Sequence, residues 1–469
     1  MTLAWNTQWT LMCAVTAVCA CAPGPEQHDE PPPFPPPRVG GSPETDALAD
    51  APARCGQLAH SWLRSAELGT VVARGEVVHH TADFLEGMIL AAGVDPPRTP
   101  IYDAKVATVT YRTQDRGVLM DATGLLAWPY GLERGRRPDI LLLLHGTQGF
   151  TDGCSLDQNA DTKALAGYFA SLGYAVMAPD YLGLKANPPP TGFPHPYLVG
   201  QATAIASLDM VRVAAHMGGP EYDDVLPLPR VVLLGGSQGG HAGLWVDRLA
   251  PYYAPELELL GGAVTVPPAD LVGEVERALR EVVDATGNTM AVLGTASSWY
   301  GLQSRLGEVF RTPYDVDVPA ALVASCDPGD AIPAGAGLTT VFQPLLLDAA
   351  TAGTVAQVEP WGCLFRENGL TTTSVVRRNP AAASYGLLFI FGEADSLVHT
   401  PIERVAYTAL CQAGVPAQYL ECAGASHTRA TLWALPEIAD FLDARVAGQA
   451  LVPACAVSAP VHCQGTPPP

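Results

Sequence analysis

Positive charge is scarce in this sequence. Against 47 aspartates and glutamates stand 26 lysines and arginines, a formal net charge of −21 over 469 residues. Such a chain repels polyanions, which argues against nucleic-acid binding and against electrostatic adhesion to anionic membranes. Long apolar runs are scarce too. The N-terminal run LMCAVTAVCACA, Leu11 to Ala22, is 12 residues long, too short to span a bilayer and the size of a signal-peptide core. No lysine or arginine precedes it, so the basic segment usual in such leaders is missing. No cysteine has a histidine at metal-ligand spacing, which argues against zinc. No stretch repeats at a fixed period.

What is present is globular: 48% hydrophobic and 16% charged residues, in a chain long enough to bury a large core. Val18-Cys19-Ala20-Cys21 resembles a bacterial lipobox. Residues 1–21 are therefore expected to be a lipoprotein-like signal peptide, with Cys21 acylated after cleavage. Pro23 to Pro43 carries nine prolines in 21 residues, and residues 22–54 read as an extended, solvated linker. A tether behind a lipidated Cys21 would hold a soluble domain clear of a membrane. The expected location is outside the cytoplasm, as a secreted or cell-envelope lipoprotein of a bacterium. With Cys13, Cys19 and Cys21 set aside, Cys55, Cys154, Cys326, Cys363, Cys411, Cys422, Cys455 and Cys463 remain. An even set in an exported chain predicts disulfides. Short loops favour Cys411–Cys422 and Cys455–Cys463, leaving Cys55–Cys154 and Cys326–Cys363.

Along the chain, residues 57–93 read as helical up to the stop signal Gly93-Val94-Asp95-Pro96-Pro97. Ala104 to Arg112 and Gly117 to Pro129 alternate and read as an antiparallel pair. Ile140 to Leu144 is a short buried strand. A helix over 161–172 and a strand over 174–178 follow. Leu198, Ile205, Leu208, Val211 and Ala215 then share one helical face, and Val231 to Leu234 is the next buried strand. This alternation predicts an α/β fold, a mostly parallel sheet with helices on both faces. After a strand over 261–266 the rhythm breaks. Residues 267–380, whose clearest element is a helix with Leu271, Val275, Leu279 and Val282 on one side, read as an inserted helical cap. Its expected place is over the sheet's carboxyl edge, where ligands enter open α/β sheets. The rhythm resumes with a strand over 385–391, a helix over 402–412, a strand over 417–422 and a closing helix over 432–446. The expected organisation is a core of 55–266 and 381–448, a cap of 267–380, and a coil tail of 449–469 stapled by its own two cysteines.

Gly235-Gly236-Ser237-Gln238-Gly239 matches G-x-S-x-G between a strand and the helical HAGLW, the context a nucleophile elbow requires. A serine thrust out on so sharp a turn sits in strained backbone, and glycines let strand and helix crowd around it. In a chain with 46 glycines the pentapeptide alone is weak, and a Gly-rich turn is the plain alternative. Partners strengthen it. Acyl transfer by serine needs a base to take the hydroxyl proton and an acid to orient that base, and such sheets present them in the order Ser, acid, His at strand ends. Here one later strand runs into Gly392-Glu393-Ala394-Asp395 and the last into Ala423-Gly424-Ala425-Ser426-His427. Asp395 is preferred to its rival Glu393 because it sits later in the loop. The alternatives are that Asp395 caps a turn and that His427 is a surface histidine. His241, one turn beyond Ser237, reads as packing. His79 and His80 read as structural, and His145 as shaping its glycine loop. The oxyanion would be held by the backbone N–H groups of Gln238, at a helix N-terminus, and of Thr147 in His145-Gly146-Thr147. Because the main chain donates, side-chain changes at Thr147 should matter less than distortions of its loop.

The segments HGTQG, APDYLGL, HPYL at His195 to Leu198, GGSQGGHAGLW, GEADSLV and GASH resemble those of serine esterases and lipases of the α/β-hydrolase superfamily. Within that superfamily the chain is most similar to the secretory lipase family and its bacterial relatives, over roughly residues 102–446. The resemblance implies an α/β-hydrolase fold and hydrolysis of an ester or lipid small molecule, with no metal and no organic cofactor. It implies a triad at Ser237, Asp395 and His427, and a capped acyl pocket within 267–380. A serine peptidase or acyltransferase on the same triad is the second reading, since fold and triad do not choose the leaving group. A noncatalytic surface-binding protein is the third, and the complete set of triad and oxyanion loops argues against it.

Overall fold

Alternate residues along the strands point to opposite faces of the sheet. Ile140, Leu142, Leu144, Val231, Leu233, Leu387, Phe389 and Phe391 pack into one apolar cluster, while Leu141, Leu143, Val232, Leu234, Leu388 and Ile390 pack into another. A strand apolar at every position can only sit where both faces are covered. Each such side chain contributes about 1.5–3 kcal/mol on burial. The computed structural model describes residues 34–37, 39, 55, 62–91, 93–329, 333–378 and 382–467. The expected signal peptide, Cys21 and most of the expected linker lie outside them. Phe34, inside PPPFPPP, is buried against the first apolar cluster, so that part of the linker is docked rather than solvated.

The strands are β1 (Val71–His80), β2 (Asp103–Asp115), β3 (Val118–Tyr130), β4 (Ile140–Leu144), β5 (Ala175–Pro179), β6 (Arg230–Gly236), β7 (Glu258–Thr265), β8 (Gly386–Gly392) and β9 (Ala417–Cys422). They form one sheet in the order β1-β2-β3-β5-β4-β6-β7-β8-β9. The first three pair antiparallel, β3 meets β5 antiparallel, and all later neighbours are parallel. The core helices are α1 (Ala82–Ala91), α2 (Ala160–Ser171), α3 (Gly200–Arg212) and α4 (Gln238–Tyr253). The segment after β7 holds α5 (Leu271–Arg280), α6 (Ala285–Trp299), α7 (Tyr314–Leu322), α8 (Leu338–Val341), α9 (Pro344–Ala352) and α10 (Trp361–Asn368). The chain closes with α11 (Thr400–Gln412), α12 (His427–Trp433) and α13 (Leu435–Val446). Residues of α1, α2 and α13 join one apolar cluster and those of α3, α4 and α11 the other. The connection leaving β4 thus crosses one face and that leaving β6 the opposite face, which opens a crevice at their carboxyl ends.

Four expectations are corrected. Residues 57–93 are not one helix: Val71, Val72, Val77 and Val78 place 71–80 in an edge strand, where β-branched residues fit the pleat, and helix begins only at Ala82. The closing helix is two, broken at Ala434 ahead of Pro436. Val282 lies beyond the end of α5 and is exposed, whereas Leu271, Val275 and Leu279 are buried.

The fourth correction concerns the disulfides, which join Cys55–Cys363, Cys154–Cys326, Cys411–Cys455 and Cys422–Cys463. Cys411 lies near the end of the helix that leads into β9, and Cys422 closes that strand. The length of the strand alone separates its two ends by about 17 Å, beyond the reach of a disulfide. The tail instead runs beside β9. Ala454 N donates to Ala417 O (2.9 Å) and Val461 N to Glu421 O (2.8 Å). Cys455 and Cys463 therefore meet the two ends of that region, and the tail covers an edge that would otherwise be open.

Candidate active site

Ser237 stands between β6 and α4 with φ 57° and ψ −120°, a conformation that costs a non-glycine residue free energy and persists only where its surroundings fix it. The fixing is main-chain crowding. A Cβ on Gly235 would lie 2.1 Å from Gly239 O, and one on Gly239 would lie 2.0 Å from Leu144 O. Ser237 N donates to Thr265 O at 2.9 Å, and His241 N donates to Ser237 O at 3.0 Å. The turn is thereby bound to β4 and β7 on either side.

Asp395 follows β8 and is buried. Its Oδ1 accepts from Leu397 N (3.0 Å) and Val398 N (3.1 Å), and its Oδ2 lies 2.7 Å from His427 Nδ1. His427 is the first residue of α12, directly after the loop from β9. A carboxylate accepts from Nδ1–H, which leaves the lone pair on Nε2. That nitrogen is buried and has no hydrogen-bond partner among the described residues. Ser237 and His427 line one cleft of about 470 Å³ together with Gly146, Thr147 and Leu397. Glu393, the rival acid, points elsewhere: it is exposed and its Oε2 accepts from Gly424 N at 2.8 Å.

The oxyanion candidates are held by side chains the sequence reading had not assigned. Gln238 begins α4, and its side-chain Nε2 lies 2.6 Å from Nε2 of His195, whose Nδ1 lies 2.7 Å from Leu182 O. The carbonyl accepts from Nδ1–H, so Nε2 of His195 accepts from Gln238. Burial holds this imidazole neutral, with its pKa down at about 3. The HPYL segment thus supplies a prop for the residue after the serine. Its Tyr197 does the same for the other loop. Tyr197 OH is 2.9 Å from Thr147 Oγ1 and accepts from Asn288 Nδ2 of α6 at 3.0 Å. The Thr147 side chain therefore anchors its loop, so a change there would act by way of the loop's geometry.

His145, His241 and His79 lie apart from this chemistry. His145 is buried, stacks on Tyr181 with ring centres 4.1 Å apart, and is pushed to a pKa of about 4 by burial. His241 is likewise lowered to about 4 by burial and contacts Asn368 O at 2.8 Å. His79 meets Asp103 on the β1 edge of the sheet. Beside Ser237 a second, narrow cavity is walled by Leu271, Val275 and Val292 from α5 and α6, Phe365 from α10, and Leu397 and Val398 from the Asp395 loop. It is apolar enough for a hydrocarbon chain.

A mostly parallel sheet with a strained serine after β6, an acid after β8 and a histidine after β9 defines the α/β-hydrolase fold. The family model of the secretory lipases matches residues 155–313, and the chain is similar to that family. Lipase 6 and Lipase 2 of Candida albicans are 26% and 25% identical over 60% of this chain, which spans 58% and 57% of their lengths. The chain thus covers somewhat over half of these curated relatives. Among solved structures, the rice cell wall degrading esterase LipA from Xanthomonas oryzae is 20% identical with a TM-score of 0.64, covering 81% of this chain and 98% of that one. Candida antarctica lipase A in its closed state is 16% identical with a TM-score of 0.61, covering 92% of each chain.

Proposed function

We propose that this protein hydrolyses carboxylic esters through a covalent acyl-enzyme. Ser237 Oγ attacks the ester carbonyl as His427 Nε2 takes its proton, and Asp395 holds the imidazole by Nδ1–H. The tetrahedral oxyanion is met by the backbone N–H groups of Gln238 and Thr147, the former at a helix N-terminus whose dipole favours negative charge. The alcohol leaves with the proton from His427. Water, deprotonated by the same imidazole, then releases the acid. The acyl chain occupies the apolar cavity beside Ser237 and the alcohol part the wider cleft. The observation that carries this reading is the 2.7 Å contact of His427 Nδ1 with Asp395, which leaves a free Nε2 in a cleft that Ser237 also lines.

The test is a panel of p-nitrophenyl esters from acetate to palmitate beside aminoacyl-naphthylamides. Ester turnover that falls by about 10⁶ in Ser237→Ala, with folding intact, is the expected result. Cleavage of the amides alone would select the peptidase reading. The four disulfides support export, because such bonds persist in oxidising compartments. The lipid anchor at Cys21 is part of the same proposal. Labelled palmitate should enter the expressed chain and be lost in Cys21→Ser.

A further inference from the structure

The segment 393–399 that carries Asp395 is held from outside by the helices that follow β7. His399 N donates to Glu274 Oε1 of α5 at 2.7 Å, Arg277 Nη2 of the same helix donates to Ser396 O at 2.9 Å, and Ser396 Oγ donates to Asp284 at 2.5 Å. The grip is returned. Glu403 of α11, itself buried, accepts from Ala269 N at 3.0 Å and Asp270 N at 3.2 Å, at the start of α5. Two buried carboxyls are thus exchanged between the Asp395 side and the cap side. We propose that Glu274 is a positioning residue for Asp395, so that this carboxyl of α5 braces the acid loop and is not only part of a roof; this rests on the ester-hydrolase reading above.

A backbone N–H such as that of His399 could be satisfied by water or by a neutral acceptor. A carboxyl placed here instead faces Asp395 and His399 on the acid loop, Glu403 on α11, Asp270 just before its own helix, and Arg277 one turn on. Burial among so many acids raises the pKa of Glu274 and of Glu403, an arrangement that costs stability and marks functional clusters. Glu274, Leu271 and Val275 of α5 line the narrow apolar cavity together with Leu397 and Val398, whose N–H groups hold Asp395. A chain seated there touches both sides of the brace at once.

The experiment compares kcat, KM and the pH profile of kcat/KM for p-nitrophenyl butyrate in the parent, Glu274→Met, Glu274→Gln and Arg280→Gln. The last is an exposed residue of the same helix and should change nothing. Glu274→Met fills the same space without an acceptor. It is expected to lower kcat by about tenfold or more with KM within about threefold. Its acid limb should move down by about half a pH unit, since a loosened Asp395 disfavours imidazolium at His427. Glu274→Gln keeps an acceptor for His399 N and should restore kcat to within about threefold. Full activity in Glu274→Met, or a lower kcat with an unmoved acid limb, overturns the proposal. If that variant does not fold, Arg277→Met decides: at least about threefold loss of kcat supports the brace, and unchanged kcat refutes it. Retained turnover in Ser237→Ala would instead overturn the ester-hydrolase reading itself.

Discussion

The two arms of the site are built differently. The serine arm is fixed by backbone: Gly235 and Gly239 bring β6, α4 and β4 so close that a single added carbon would overlap a carbonyl oxygen. The acid–histidine arm is fixed by side chains. Asp395 turns on two N–H groups of its own loop, that loop is braced from α5 by Glu274 and Arg277, and the strand leading to His427 is tied to the tail through Cys422–Cys463. A backbone-crowded turn tolerates little and adjusts little. A side-chain-braced arm can be retuned residue by residue, and its geometry is open to influence from the helices that follow β7.

This difference predicts where substitutions act. On the side-chain arm, Asp395→Asn should lower kcat by about 10⁴ while leaving the thermal midpoint nearly unchanged. Glu393→Gln, which keeps an acceptor for Gly424 N and loses only the charge, should stay within about tenfold of the parent in the same assay. The reverse order would move the acid to Glu393. On the backbone arm the effect should be on stability first. Gly239→Ala is expected to cost about 3 kcal/mol or more in denaturant unfolding, because Leu144 O cannot retreat from the new Cβ without displacing β4. Unchanged stability there would erase the distinction between the arms.

A smaller effect separates the buried histidines from the buried acids. Burial lowers His145 and His241 to about 4 and His195 to about 3. Below about pH 6.5 the unfolded chain takes up protons that these rings refuse, and stability falls as pH drops. Asp180 is opposite in sign: burial raises it to about 7, so its contribution is fully present below the unfolded carboxylate pKa and is lost as pH rises through about 7. Glu274 is raised by burial as well and acts in the same direction. The thermal midpoint of the parent relative to that of Asp180→Asn, measured from about pH 4.5 to 8.5, should therefore fall as pH rises and level off above about pH 7. A difference that rises with pH would contradict the assignment for Asp180.

The backbone arm was legible in the sequence and the brace was not. Glycines flanking a serine between a buried strand and a helix leave few options, and Gly392-Glu393-Ala394-Asp395 and Ser426-His427 announce themselves by following apolar strands. Glu274 carries no such mark, because in α5 it reads as one of several charged residues on a helix that also holds Glu276, Arg277 and Arg280. Apart from Arg277 on its own helix, its partner comes with the approach of the 393–399 loop. The α6 helix, ATGNTMAVLGTASSW, is buried on nearly all sides and has no polar face to set a period, so Asn288 could not be placed beside Tyr197. The disulfides Cys55–Cys363 and Cys154–Cys326 span 308 and 172 residues, separations at which loop length carries no pairing information. The β1 strand was hidden because Glu76 and Gly75 interrupt its valines, and its edge position leaves both faces largely exposed.

The most direct test of the account is covalent trapping with a fluorophosphonate ester followed by peptide mapping. The account predicts one phosphonyl group per chain, on Ser237, with labelling abolished in Ser237→Ala and slowed by orders of magnitude in His427→Ala. Phosphonylation at another residue, or labelling of Ser237 at the parent rate without His427, would contradict it.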